Sequence, residues 1–139
     1  MDLTALSKKI IELRIATRRA CMCEDGDKSL ISLKTKMLFV IADGGVNPPE
    51  IMARLKVLKP NLAAMSKELE GEGLITRAKT LTDRRSITYA LTPEGEKYLE
   101  IRINRIADML KGVYGEQAAY DDAGRKIEEV LDFLSFLQA

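Results

Sequence analysis

The residues of this 139-residue chain best suited to chemistry are cations and one carboxamide. Arg54, Lys59, Asn61, Lys67, Lys79, Arg84 and Arg85 fall within a stretch of 32 residues, and Asp83 stands directly before the arginine pair. Surface ammonium and guanidinium groups neutralise phosphates, and an asparagine carboxamide matches the donor and acceptor on an adenine edge. Arg54, Lys59 and Lys67 therefore suit phosphates, Asn61 suits a base edge, and an arginine at a hairpin tip suits a narrow minor groove. A solvated turn with a local ion pair is the other reading of Asp83-Arg84-Arg85. A second group is Cys21 and Cys23, one residue apart. The chain has no histidine, so a zinc site there would need carboxylates or a second chain. Arg18 and Arg19 nearby could lower a thiol pKa, as a redox sensor requires, and a pair of inert thiols fits the same spacing. With no histidine, no glycine-rich phosphate loop and no nucleophile signature, the sequence argues against an enzyme and calls for no cofactor or metal.

The elements that must position these residues are readable in order. Asn47 is a good N-cap, Pro48 occupies a first helical position where its missing N–H costs nothing, and Glu50 completes the signal. Ile51, Met52 and Leu55 give this short helix a buried side, and Lys56 to Lys59 turn the chain. Pro60 and Asn61 open a second helix, on which Leu62, Met65, Ser66 and Leu69 share one face. Asn61, Ala64, Lys67 and Glu68 are left elsewhere on its surface. Gly71 and Gly73 stop it. Leu74 and Ile75 begin a strand, Thr80 to Arg84 form a charged loop, and Ser86 to Leu91 alternate as a returning strand. This is the order of a winged helix-turn-helix, spanning about residues 44–92.

Around that centre the chain reads as helical. Leu3, Leu6, Ile10 and Leu13 mark an amphipathic helix over about residues 2–20, with Ile11 and Ile15 widening its apolar surface. Leu30, Leu33, Met37, Val40 and Ile41 mark a second helix. Thr92 caps a long helix with Pro93 at its first position, and Leu99, Ile103, Ile106, Leu110 and Val113 form a seam along it. Gly112 and Gly115 break that helix. Ile127, Val130, Leu131, Leu134 and Leu137 line a last one, with Phe133 and Phe136 beside the stripe. The expected fold class is mostly α with a small β-hairpin wing, in one domain over residues 1–139. The terminal helices, about 2–20 and 93–138, carry more apolar surface than a small winged domain buries. Their use as dimerisation helices in a homodimer is the economical reading, and packing on each other within one chain is the alternative.

Charge is unevenly distributed. Residues 2–49 hold eight basic and six acidic side chains, 8 − 6 = +2; residues 50–91 hold 8 − 5 = +3; residues 92–139 hold 6 − 10 = −4, which sums to the net +1. Positive charge thus gathers on the helix-turn-helix and hairpin, the pattern of a nucleic-acid face. The longest uninterrupted apolar run, Met37 to Ala42, is too short to cross a bilayer, and the N-terminal residues lack the apolar core of a signal peptide, so a cytoplasmic location is expected.

The stretch from Pro48 to Arg77 resembles the helix-turn-helix of MarR-type transcriptional regulators. Their pattern Leu-Glu-x-x-Gly-Leu-Ile/Val-x-Arg is matched by Leu69, Glu70, Gly73, Leu74, Ile75 and Arg77. Their wing pattern Asp-x-Arg followed by Leu-Thr-x-x-Gly is matched by Asp83, Arg85, Leu91, Thr92 and Gly95. The resemblance extends over essentially the whole chain, since the family has two helices before this core and two long ones after it. It departs at the recognition helix, where Pro60, Asn61, Ala63 and Ala64 replace the usual small hydroxyl residues and a central arginine, leaving Lys67 as the main cation. The resemblance implies a homodimer on a near-palindromic DNA duplex, with Arg85 in the minor groove, Asp83 orienting it, and Arg84 and Lys79 nearer phosphates. It also implies a cleft drawing on the first, second and fifth helices that takes a small aromatic effector. A winged-helix module that binds protein instead of DNA shares the fold, and the positive wing is the feature such a module would not require.

Overall fold

The computed structural model describes residues 1–19, 31–79, 86–113 and 115–137. In chain order the elements are α1 (Leu3–Arg19), α2 (Leu33–Ile41), α3 (Pro48–Leu55), α4 (Lys59–Gly71), β1 (Ile75–Lys79), β2 (Ile87–Leu91), α5 (Pro93–Val113) and α6 (Gln117–Leu137). They divide into two compact units, Met1–Arg102 and Ile103–Ala139.

Each helix of the first unit starts where side-chain chemistry lets it. Ser32 caps α2 by accepting from the Thr35 N–H, a cap the hydrophobic spacing alone does not reveal. Asn47 Oδ1 accepts from the Glu50 N–H at 2.9 Å, and Pro48 follows it into α3. Lys56 ends α3 in the left-handed conformation, φ 53°, which turns the chain sharply into α4. α4 begins at Lys59, one residue before the proline, and its N-cap Leu58 makes no side-chain cap bond. Pro60, fixed at a helical φ and needing no N–H partner in the first turn, starts this helix instead. At the other end Gly73 takes φ +73° while the Gly73 and Leu74 N–H groups bond back to Glu70 and Leu69 carbonyls.

The core of this unit is built from α2, α3, α4 and the hairpin. Met37, Leu38, Ile41, Ile51 and Leu69 are fully buried, joined by Val40, Val46, Leu62, Leu74, Ile75, Tyr89 and Leu99. Burying each such large apolar side chain is worth roughly 1.5–3 kcal/mol, enough to hold short helices that would not form alone. β1 and β2 pair antiparallel from Ile75↔Leu91 to Lys79↔Ile87. Val46 adds an isolated bridge to Tyr89, whose N–H donates to the Val46 carbonyl at 2.9 Å. Only Ile75 of β1 is buried, so beyond its first residue the strand projects away from the core.

The junction between hairpin and α5 is closely packed. Thr92 Oγ1 donates to the Gly73 carbonyl at 2.5 Å and accepts from the Gly95 N–H at 3.0 Å, while the Thr92 N–H donates to the Leu74 carbonyl at 3.0 Å. A Cβ placed on Gly95 would lie 2.0 Å from the Leu74 oxygen. The Leu-Thr-x-x-Gly spacing is thus a packing requirement: a capping hydroxyl, then one turn later a residue with no side chain.

α1 leaves Leu3, Leu6, Ile11 and Ile15 exposed. In the second unit α6 buries none of its residues, and Ile103, Ile127, Leu131, Phe136 and Leu137 are all exposed. Lys126 and Arg125 hold the Asp122 carboxyl below the usual carboxylate range on the opposite, polar side of α6. Among the described residues no helix is long and apolar enough to cross a membrane.

Two substitutions test this packing. Gly95→Ala should destabilise the chain by at least about 2 kcal/mol, because the clash is with backbone that cannot rotate away; urea unfolding reads it as a lower midpoint. Ser66 is 2% exposed and its Oγ has no hydrogen-bond partner among the described residues. Ser66→Ala should therefore leave stability unchanged or raise it by up to about 1 kcal/mol, since it removes a buried polar group that gains nothing.

Candidate nucleic-acid interface

α4 divides cleanly into two sides. Leu62, Ser66 and Leu69 are buried and Met65 is partly buried, whereas Lys59, Pro60, Asn61, Ala63, Ala64, Lys67 and Glu68 are exposed. The division follows the sequence: residues three and four apart stack on one face, so 62, 65, 66 and 69 must share a neighbour. Lys59 occupies the first helical position and Asn61 the third, where the helix begins and its unpaired N–H groups lie. Lys59 and Lys67 hold no carboxylate among the described residues.

Arg54 lies in the last turn of α3, across the Lys56–Leu58 turn from Lys59. Its guanidinium sits 3.3 Å from Asp43 Oδ2, and both side chains are at least half exposed. The sequence offered no signal for this pair, because Asp43 sits eleven residues earlier in the turn after α2. Lys79 is exposed at the far end of β1, opposite Ile87. Asp83, Arg84 and Arg85 lie outside the described residues, as do Cys21 and Cys23.

The structure also accounts for residues that carry the family pattern without being obvious contacts. Arg77 Nη2 lies 2.8 Å and Nε 3.0 Å from Glu70 Oε1, joining the last turn of α4 to β1. The hydrogen bond from Glu70, and then its charge, hold the Arg77 guanidinium above its ordinary pKa. That arginine is exposed but engaged by Glu70 through two of its nitrogens. A cleft of about 650 Å³, which sequence patterns did not disclose, opens between α3, the start of α4 and β2. Pro48, Pro49, Met52, Lys59, Leu62, Ala63, Ile87 and Tyr89 line it.

The sequence model of the MarR family matches residues 42–87, from the end of α2 to the start of β2. No curated protein matches the chain by sequence. Among solved structures, Streptococcus pneumoniae FabT in complex with DNA is 20% identical, with a TM-score of 0.60 over 97% of this chain and 94% of that one. The transcriptional regulator BldR from Sulfolobus solfataricus is 15% identical, with a TM-score of 0.69 over 95% and 99%. The transcriptional repressor CouR, bound to a 23-mer DNA duplex, is 28% identical, with a TM-score of 0.56 over 76% and 72%. FabT and BldR, at such low identity, attest the fold alone. The MarR family's sequence pattern thus covers the helix-turn-helix and the hairpin as far as the start of β2, and the fold around it, a winged helix-turn-helix with flanking helices, is similar to that of these solved structures.

Proposed function

We propose that the chain is a sequence-specific DNA-binding transcriptional regulator that acts as a homodimer on a near-palindromic duplex site. The observation that carries this reading is α4 itself, whose buried face is apolar and whose exposed face offers Lys59, Asn61 and Lys67 from a helix the MarR pattern assigns to recognition. Lys67 and Lys59 hold phosphates, Asn61 reads an adenine edge, and Pro60 and Ala64 allow close approach without adding donors. Arg54 joins them by exchanging Asp43 for a phosphate. Lys79 leads towards the hairpin tip, where Arg85 enters the minor groove, Asp83 orients it and Arg84 meets the backbone. The 23-mer DNA duplex bound by CouR supports the same class of partner.

The dimer rests on exposed apolar surface. A 21-residue amphipathic helix with no buried residue is stable in water only if something covers it, and α6 is such a helix. Leu3, Ile11 and Ile15 on α1 and Ile127, Leu131 and Phe136 on α6 are the residues a second copy would cover. Two recognition helices related by a two-fold axis read half-sites about 10 base pairs apart. Release from DNA by a small aromatic effector rests on the family resemblance, and release by oxidation rests on the Cys21–Cys23 spacing.

Sedimentation at micromolar concentration should show a dimer, and a stable monomer would remove the two-fold reading. Selection from a random-sequence duplex pool should yield sites with two-fold symmetry. Arg85→Ala should weaken binding to a selected duplex by about tenfold, on the scale of ~1–3 kcal/mol for a good groove contact. It should also make the salt dependence shallower by about one unit for each phosphate no longer neutralised, and lessen the preference for A·T-rich flanks. The melting temperature should stay put, since a surface-loop arginine, as the sequence reads Arg85, contributes little to folding. Asp83→Ala should give a milder form of the same defect. An Arg85→Ala chain that binds like the parent at moderate salt would transfer support to a protein-binding winged helix.

A further inference from the structure

The last turn of α4 has an electrostatic problem that the helix does not solve for itself. It carries Glu68 and Glu70, is followed by Glu72 at the C-cap, and contains no basic residue, so carboxylates crowd the negative end of the helix dipole. Two cations from outside the helix offset this. Arg77 of β1 takes Glu70, and Lys34 of α2 takes Glu72, with Nζ 2.5 Å from Oε2. Lys34 does a second thing. Its ammonium lies 4.9 Å from the ring centroid of Tyr98 on α5, and the Lys34 side chain is only 19% exposed although its partner Glu72 is 41% exposed. Arg102, one turn further along α5, fixes the ring: its guanidinium carbon is 5.2 Å from the same centroid and Nη2 donates to the Tyr98 hydroxyl at 3.1 Å.

We infer that Lys34 is a positioning residue for α4, tying the C-terminal end of that helix through Glu72 to Tyr98 of α5. The chain just beyond α4 is already pinned to the start of α5 by the Thr92 bonds to the Gly73 and Leu74 carbonyls. Leu62, Ser66 and Leu69 dock α4 on the core and Glu70 joins it to Arg77 of β1, so Glu72–Lys34–Tyr98 adds a further tie at its C-terminal end, on the helix that presents Asn61 and Lys67 at its exposed face. The inference rests on the reading of α4 as the DNA-recognition helix, and makes Lys34 a determinant of affinity that never touches DNA.

The test is the affinity of the full chain for a duplex that the parent itself selects from a random pool, measured across a range of salt. Lys34→Met keeps the aliphatic stem and removes the charge. It should lower affinity about three- to tenfold with an unchanged salt slope, because the helix angle changes while the same phosphates stay neutralised. Glu72→Gln is the sharper variant: if net charge alone mattered, removing a carboxylate would strengthen binding to a polyanion, whereas the positioning role requires weaker binding. The double variant should be no worse than either single one, since both remove the same tie. Lys34→Arg, which keeps the cation, should restore most of the affinity. Should Lys34→Met melt early, Glu72→Gln carries the test from the more exposed side of the pair. Weaker binding by Lys34→Met accompanied by a slope about one unit shallower would make Lys34 a phosphate ligand and overturn the inference. Parent-like or tighter binding by Glu72→Gln would overturn it too. A parent chain that retains no duplex at any salt would overturn this inference together with the DNA-binding reading, which distinguishes the two failures.

Discussion

Everything in the first unit depends on how closely α5 can approach the backbone at the end of α4. The Leu74 carbonyl accepts from the Thr92 N–H, and Gly95 lies so close to that oxygen that no side chain fits between them. The Thr92 hydroxyl, bridging the Gly73 carbonyl and the Gly95 N–H, makes the same approach on the other side. Because Leu74 leads into β1 and Thr92 follows β2, this contact closes the base of the hairpin and sets where α5 begins. The Ile75↔Leu91 pair is therefore fixed from below, which is how a strand with one buried residue keeps its register.

α4 shows how much of a surface helix is specified by what lies around it. Its buried stripe of Leu62, Ser66 and Leu69 docks it on the core, and Ser66 contributes small size instead of a hydrogen bond. Its N-terminus has no side-chain cap and begins on a proline-directed turn, with Lys56 held left-handed ahead of it. Its C-terminus is acidic and is neutralised by Arg77 and Lys34 from two other elements. The exposed face is thereby left with few internal obligations. A surface whose lysines and asparagine are not spent on the fold is free to meet a partner, whereas Arg77, equally basic in the sequence, is paired with Glu70.

The second unit poses the complementary case. α6 has a regular apolar stripe and buries none of it within the chain, so the same residues that would form a core inside a larger domain are left as surface. Its polar side is self-sufficient, with Asp122 satisfied by Arg125 and Lys126 one turn on.

Element type and order were legible from the residues alone because they follow from local rules. Asn47-Pro48, Thr92-Pro93 and the glycines at 71 and 73 punctuate the chain, and the spacing of Leu62, Met65, Ser66 and Leu69 says which side of α4 turns inward. The division of α4 into a buried and an exposed face, and hence the exposure of Asn61, Ala64, Lys67 and Glu68, came with it. The bounds were less legible. α4 starts at Lys59 rather than at Pro60, and the Ser32 cap and the Val46 bridge leave no periodic mark, because each depends on one hydrogen bond rather than on a repeating pattern. What only the tertiary structure decided is which charges are engaged. Arg54 with Asp43, Arg77 with Glu70 and Lys34 with Glu72 join residues that are 11, 7 and 38 positions apart. The partners in each pair do not share an element, so no single helical or strand period links them; they meet because the packing of α2, α3, α4 and the hairpin around one apolar core brings them together.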